Sequence, residues 1–186
     1  MSYVLAVMVL VSCKASTDQL IAEGGVLMNK GDNRGAIEKY EAVITRNSKL
    51  QLAFYNQAIC YSNLKKYDKA LYNINKILAM HGNNEFEFIP NPDGLNATDE
   101  DRAYIPGRIA LFERAKIKFY MDSLNSSFYD FKTCLESDYD KNECYLWIGT
   151  IYIRLGNKSK GCELYKKANP FGTNEDAIKL IKGNCN

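Results

Sequence analysis

Residues 51–84 read QLAFYNQAICYSNLKKYDKALYNINKILAMHGNN, and this stretch decides the fold. Its first half places Phe54, Tyr55, Ala58 and Tyr61 on one helical face, and its second half does the same with Ala70, Leu71, Ile74, Ile77 and Leu78. Between them, Lys65-Lys66-Tyr67-Asp68 ends one helix and starts the next. Neither helix can bury its apolar face alone, so the segment needs neighbours of its own kind. The sequence supplies them at an interval of 34: Leu20 to Phe54, Gly24 to Ala58, Ala36 to Ala70, Tyr40 to Ile74 and Val43 to Ile77. After an interruption the interval returns, from Ala115 to Gly149, Ser127 to Gly161, Phe131 to Tyr165 and Cys134 to Ala168. Four units follow, at 17–50, 51–84, 108–141 and 142–175.

A 34-residue helix–turn–helix period resembles the tetratricopeptide repeat (TPR), and the residue types agree with that family. The small residue expected in each first helix is Gly24, Ala58, Ala115 or Gly149, and the one in each second helix is Ala36, Ala70, Ser127 or Gly161. Small side chains are needed there because the two helices cross closely. A large residue follows in each second helix: Tyr40, Ile74, Phe131, Tyr165. Lys30-Gly31-Asp32 and Leu155-Gly156-Asn157 mark further turns. Lys118 departs from the pattern at a site that is usually aromatic, and Ser48, Gly82 and Tyr139 replace the prolines that often end a unit. The resemblance implies an all-α fold, an α-solenoid of four TPR hairpins (units 1–2 at 17–84, units 3–4 at 108–175) with a capping helix at 174–183. Thr173 is the expected cap of that last helix, Ala177, Leu180 and Ile181 its apolar stripe, and Gly183 its end.

In TPR arrays the first helix of each unit lines a concave groove. That carries over to Ile21 and Met28, to Leu52, Tyr55, Ile59 and Asn63, to Phe112, Lys116, Phe119 and Tyr120, and to Leu146, Thr150, Ile153 and Arg154. The partner-binding set expected from these is Tyr55, Ile59, Asn63, Phe112, Lys116, Phe119, Tyr120, Ile153 and Arg154. The family's clamp for peptide C-terminal carboxylates is missing, since Ile21, Gly25, Tyr55 and Ile59 stand where it needs Lys and Asn. An extended or helical segment with apolar side chains suits the groove better.

Residues 85–107 interrupt the array. Phe86, Phe88, Ile89 and Tyr104 could pack into the groove, and a loop of this length inside a domain is often functional. Its six carboxylates (Glu85, Glu87, Asp93, Asp99, Glu100, Asp101) do not follow the EF-hand spacing.

The N-terminus reads as an address. Tyr3 to Val11 is an apolar run too short to cross a bilayer, and Leu10-Val11-Ser12-Cys13 resembles a bacterial lipobox. The resemblance implies a lipoprotein signal peptide at 1–12, a palmitate-type acylated Cys13 and a linker at 13–16. No Lys or Arg precedes the run, which departs from the usual signal. Lys14 after the cysteine resembles outer-membrane sorting, so the expected location is the bacterial envelope, at the outer membrane facing the periplasm. The segment from Gly161 to Ala168 and on to Cys185 is similar to the ending of Bacteroidetes-type TPR lipoproteins.

Export makes disulfides available to the other five cysteines. Stacking would bring Cys134 near Cys144, and Cys162 with Cys185 would tie the cap to the last unit; all five could equally be small core residues. No CxxC pair indicates a metal, and no cofactor motif is present. His81, the one histidine, ends a helix with no partner visible in the sequence, and neither a nucleophile elbow nor an HExxH motif occurs. With a net charge of +2 there is no electrostatic footprint for nucleic acid. The expected function is therefore a membrane-anchored, non-enzymatic TPR adaptor for a protein or peptide partner. The alternatives are a structural subunit of an outer-membrane assembly or secretion complex, and an enzyme or glycan binder that uses the insert.

Overall fold

The computed structural model of the protein describes residues 15–82 and 104–185. Cys13 and the signal segment lie outside the described residues, as does the insert up to residue 103. Among the described residues there are nine helices and no strand: α1 Thr17–Asn29, α2 Asn33–Arg46, α3 Gln51–Asn63, α4 Tyr67–His81, α5 Gly107–Tyr120, α6 Leu124–Glu136, α7 Lys141–Arg154, α8 Lys158–Lys167 and α9 Glu175–Asn184. They pair as the hairpins α1/α2, α3/α4, α5/α6 and α7/α8. Each hairpin packs on the next, and α9 lies on α8.

The four hairpin turns are built alike. A left-handed residue follows each first helix: Gly31 (φ 82°), Lys65 (57°), Asp122 (61°) and Gly156 (82°). In each turn the next residue donates its N–H back into the helix: Asp32 to the Leu27 carbonyl at 2.9 Å, Lys66 to Tyr61 at 2.8 Å, Ser123 to Lys118 at 2.9 Å and Asn157 to Tyr152 at 2.8 Å. This closure satisfies carbonyls that a helix end leaves unpaired. Asp32 and Asn157 then cap the second helices, accepting from the Gly35 N–H at 2.9 Å and the Lys160 N–H at 3.1 Å.

The small residues lie at the helix crossings. A Cβ on Gly24 would lie 2.8 Å from the Tyr40 ring, and one on Gly149 would lie 2.8 Å from the Tyr165 ring. Both rings are buried, so a tyrosine occupies the space that each glycine leaves. Where the first helix carries Ala58, its counterpart is the slimmer Ile74. At Ala115 the crossing is tied by Ser127, whose hydroxyl donates to the Ala115 carbonyl at 2.7 Å.

Across the interruption α4 packs directly on α5, so units 2 and 3 stack as neighbours. Ile105 is buried in the main core, its N–H donates to Gln51 Oε1 at 2.8 Å, and α5 begins at Gly107, inside the segment expected to be loop. Tyr104 does not enter the groove. Its ring meets His81 edge-on at 5.1 Å, and His81 Nε2 donates to the Ile105 carbonyl at 2.8 Å. The lone histidine is thus a latch between the end of α4 and the residues that lead into α5.

The last helix corrects one expectation. Its cap is Asn174, not Thr173: Asn174 Oδ1 accepts from the Ala177 N–H at 3.0 Å, while Asn169 Oδ1 accepts from the Asn174 N–H at 2.8 Å. The helix runs past Gly183 to Asn184. A disulfide joins Cys162 on α8 to Cys185 at the end of α9. The other pair considered, Cys134 and Cys144, consists of buried free thiols, and Cys60 is a third. The adjoining Cys144 thiol, together with burial, pushes the Cys134 pKa up. Burial alone raises that of Cys60 to about 11.

Candidate functional site

The face lined by the first helices holds two depressions with Tyr120 between them. One, of about 260 Å³, lies between α3 and α5 and is lined by Ile59, Asn63, Tyr67, Glu113, Lys116 and Tyr120 among others. The second, of about 280 Å³, lies between α5, α7 and the capping helix, with Phe119, Tyr120, Glu143, Leu146, Trp147, Thr150, Asp176 and Leu180 around it. Tyr120 is 53% exposed although aromatic rings adjoin it. It stacks on Tyr67 at 5.7 Å and meets Trp147 edge-on at 6.0 Å.

Of the nine residues expected to bind a partner, Ile59, Asn63, Lys116 and Tyr120 come together around the first depression, and Phe119 and Tyr120 line the second. Asn63 also donates to Asn33 Oδ1 at 2.9 Å, bridging units 1 and 2. The others do different work. Phe112 is buried, wedged edge-on between Phe131 at 5.3 Å and Tyr139 at 5.5 Å. Ile153 fills the α7/α8 crossing, its side chain 2.6 Å from where a Cβ on Gly161 would sit. Arg154 is a strut: it binds Asp122 Oδ1 at 2.7 Å and lies 4.8 Å over the Phe119 ring. Tyr55 is half-buried against the main core, and burial, with Glu113 and Tyr139 nearby, drives its hydroxyl pKa up.

Several groove residues were not in the expected set: Trp147, Glu143, Glu113, Tyr67 and, from the capping helix, Asp176 and Leu180. A bulky aromatic early in α7 was visible in the sequence. The closing of the groove by α9 was not. Burial raises the Glu143 pKa, and the carboxylates of Asp140 and Asp176 push it further, against a hydrogen bond from Trp147 and the positive charge of Lys116. Among the described residues no group of three His, Cys, Asp or Glu side chains could hold a metal ion, and no helix is long and apolar enough to cross a membrane.

The family described as Tetratricopeptide repeat matches at residues 52–84 and 143–168. The fold is that of a TPR-like helical repeat protein. Among solved structures, a fragment of MamA (residue 41 to the end) from Desulfovibrio magneticus RS-1 superposes with a TM-score of 0.67 at 15% identity, covering 88% of this chain and 79% of that one. TTC0263, a thermophilic TPR protein of Thermus thermophilus, superposes at 0.51 with 14% identity, covering 91% and 99%. At these identities the likeness concerns the fold. A curated relative, the mitochondrial import receptor subunit TOM34 of Homo sapiens, is 34% identical over 62 residues, which is 33% of this chain. The chain spans about a fifth (20%) of that relative's length.

Proposed function

We propose that the protein is a membrane-anchored TPR adaptor that holds an extended or helical segment of a partner protein against α3, α5 and α7. The observation that carries the reading is Tyr120, which remains 53% exposed on a TPR-like scaffold between two depressions. A ring held on a rigid helix loses little entropy when it is covered, which is why tyrosines so often anchor interfaces. A scaffold of packed hairpins that leaves a groove along its first helices suits holding a partner segment. The anchor rests on the lipobox-like Leu10-Val11-Ser12-Cys13, and location at the outer membrane, facing the periplasm, rests on Lys14.

The test is photo-crosslinking from Lys116 in envelope fractions of cells carrying wild-type or Tyr120→Glu protein. The same partner band should appear with the wild type and vanish with the variant while the melting curve is retained. An undiminished band would overturn the groove. Separately, Cys13→Ala should move the protein from the membrane to the soluble fraction, and retention at the membrane would overturn the anchor.

A further inference from the structure

Resting on that reading, the geometry points to a lysine or arginine side chain of the partner segment as the occupant of the depression between α5, α7 and α9. The floor is aromatic: Trp147 lies edge-on to Phe119 at 5.2 Å and to Tyr120 at 6.0 Å, with Leu146 and Leu180 beside them. Such a floor covers the methylene stem of a long side chain. The rim is acidic. Glu143 on α7 and Asp176 on α9 both line the depression, and their carboxylates are close enough to repel one another. Glu143 and Trp147 stand one turn apart on α7 and line the same depression, which puts the carboxylate at the edge of the rings.

The cations nearby do not cancel this charge. Lys116 is paired with Glu113 at 2.9 Å, and Lys179 reaches Asp176 only at 3.5 Å, with its side chain 72% exposed. Arg154 lies over the Phe119 ring at 4.8 Å, but it is already paired with Asp122 at 2.7 Å. An incoming ammonium or guanidinium would lie against the exposed Tyr120 ring and relieve the repulsion between two carboxylates. An acidic side chain would add to that repulsion, and a purely aliphatic one would cover the rings while leaving the repulsion in place.

Trp147 is the one tryptophan of the chain and sits in the depression, so its fluorescence reports occupancy directly. The probes are three capped peptides of leucines around one central residue: lysine, norleucine or glutamate. The lysine peptide is expected to saturate the Trp147 signal at about one-tenth the concentration the norleucine peptide needs, a tenfold preference. The glutamate peptide should be weaker still. In Glu143→Gln/Asp176→Asn the preference for lysine over norleucine should collapse, and salt should shrink it in the wild type. Equal binding of the lysine and norleucine peptides would overturn this inference and leave the apolar groove standing. If no peptide moves the signal at millimolar concentration, the inference and the groove reading both fall. A lysine preference that survives in the double variant would also overturn the assignment, because the cation would then be held elsewhere.

Discussion

Asp130 on α6 takes both forks of Arg114 on α5, accepting from Nε at 2.8 Å and from Nη2 at 3.0 Å. The carboxylate is nearly buried, and Lys118 reaches it as well, at 2.7 Å. The same two places in the other hairpins hold different chemistry. Unit 1 pairs Glu23 with Lys39 at 2.6 Å, unit 2 pairs Gln57 with Asn73 at 2.7 Å, and unit 4 puts Ile148 and Leu164 in the apolar core. Each first residue directly precedes the small residue of its crossing, so one tie across the hairpin is made in four ways.

Removing only the carboxylate would leave two cations in a poorly solvated place. Asp130→Ala is therefore expected to cost about 3–5 kcal/mol, the range for breaking a buried pair. The double variant Arg114→Gln/Asp130→Asn transplants the pair of unit 2 and should recover most of that loss. Urea unfolding of both variants measures the difference, and a double variant as unstable as the single one would show that the tie does not transfer between units.

The crossings make a second prediction. A Cβ on Gly161 would meet the Ile153 side chain at 2.6 Å and the Gly149 carbonyl oxygen at 2.9 Å, and that carbonyl is backbone and cannot swing aside. Gly161→Leu should lower stability by roughly 1–3 kcal/mol through over-packing. An unchanged melting temperature would mean that α7 and α8 do not cross where the structure places them.

The fold was legible because tight crossings demand small residues at a fixed interval, and Gly24, Ala58, Ala115 and Gly149 display that interval directly. The site was less so. Phe112 and Phe119 look alike in the sequence and are equally buried, but Tyr139 and Phe131 enclose Phe112, while Phe119 borders the second depression beneath Arg154. Which ring borders the groove depends on the next hairpin, and no pattern within one hairpin shows it. The partner of His81 was hidden for a similar reason, since Ile105 lies 24 residues further on, near the end of the insert. Thr173 and Asn174 are adjacent and both can cap a helix; Asn169, bonding the Asn174 N–H, decides between them.

The four turns allow a test of backbone strain. Lys65 sits at φ 57° in a turn equivalent to that of Gly31, and a side chain there costs roughly 1–2 kcal/mol. Glycine's extra freedom in the unfolded chain offsets part of any gain, so Lys65→Gly should stabilise the protein by about 0.5–1 kcal/mol. The reverse exchange, Gly31→Lys, should cost a similar amount through strain alone, because nothing lies within 4 Å of a Cβ at Gly31. Thermal melts that move in the opposite senses would refute the equivalence of the turns.

Glu143 gives the pH prediction. Its pKa in the folded chain is raised by burial and by Asp140 and Asp176, so the folded state holds this proton more tightly than the unfolded state does. Folded protein binds more proton than unfolded in the window between the two pKa values, and stability must fall as pH rises through that window. The penalty begins near the unfolded glutamate value of about 4.3 and is complete once the pH exceeds the folded value. Glu143→Gln keeps an acceptor for the Trp147 indole but removes the charge. It should raise the melting temperature at pH 7 and make no difference below the unfolded value, where Glu143 is already neutral. A variant less stable than wild type at pH 7 would show that the carboxylate is held by favourable partners there, and the acidic rim would no longer be a place that lacks a cation.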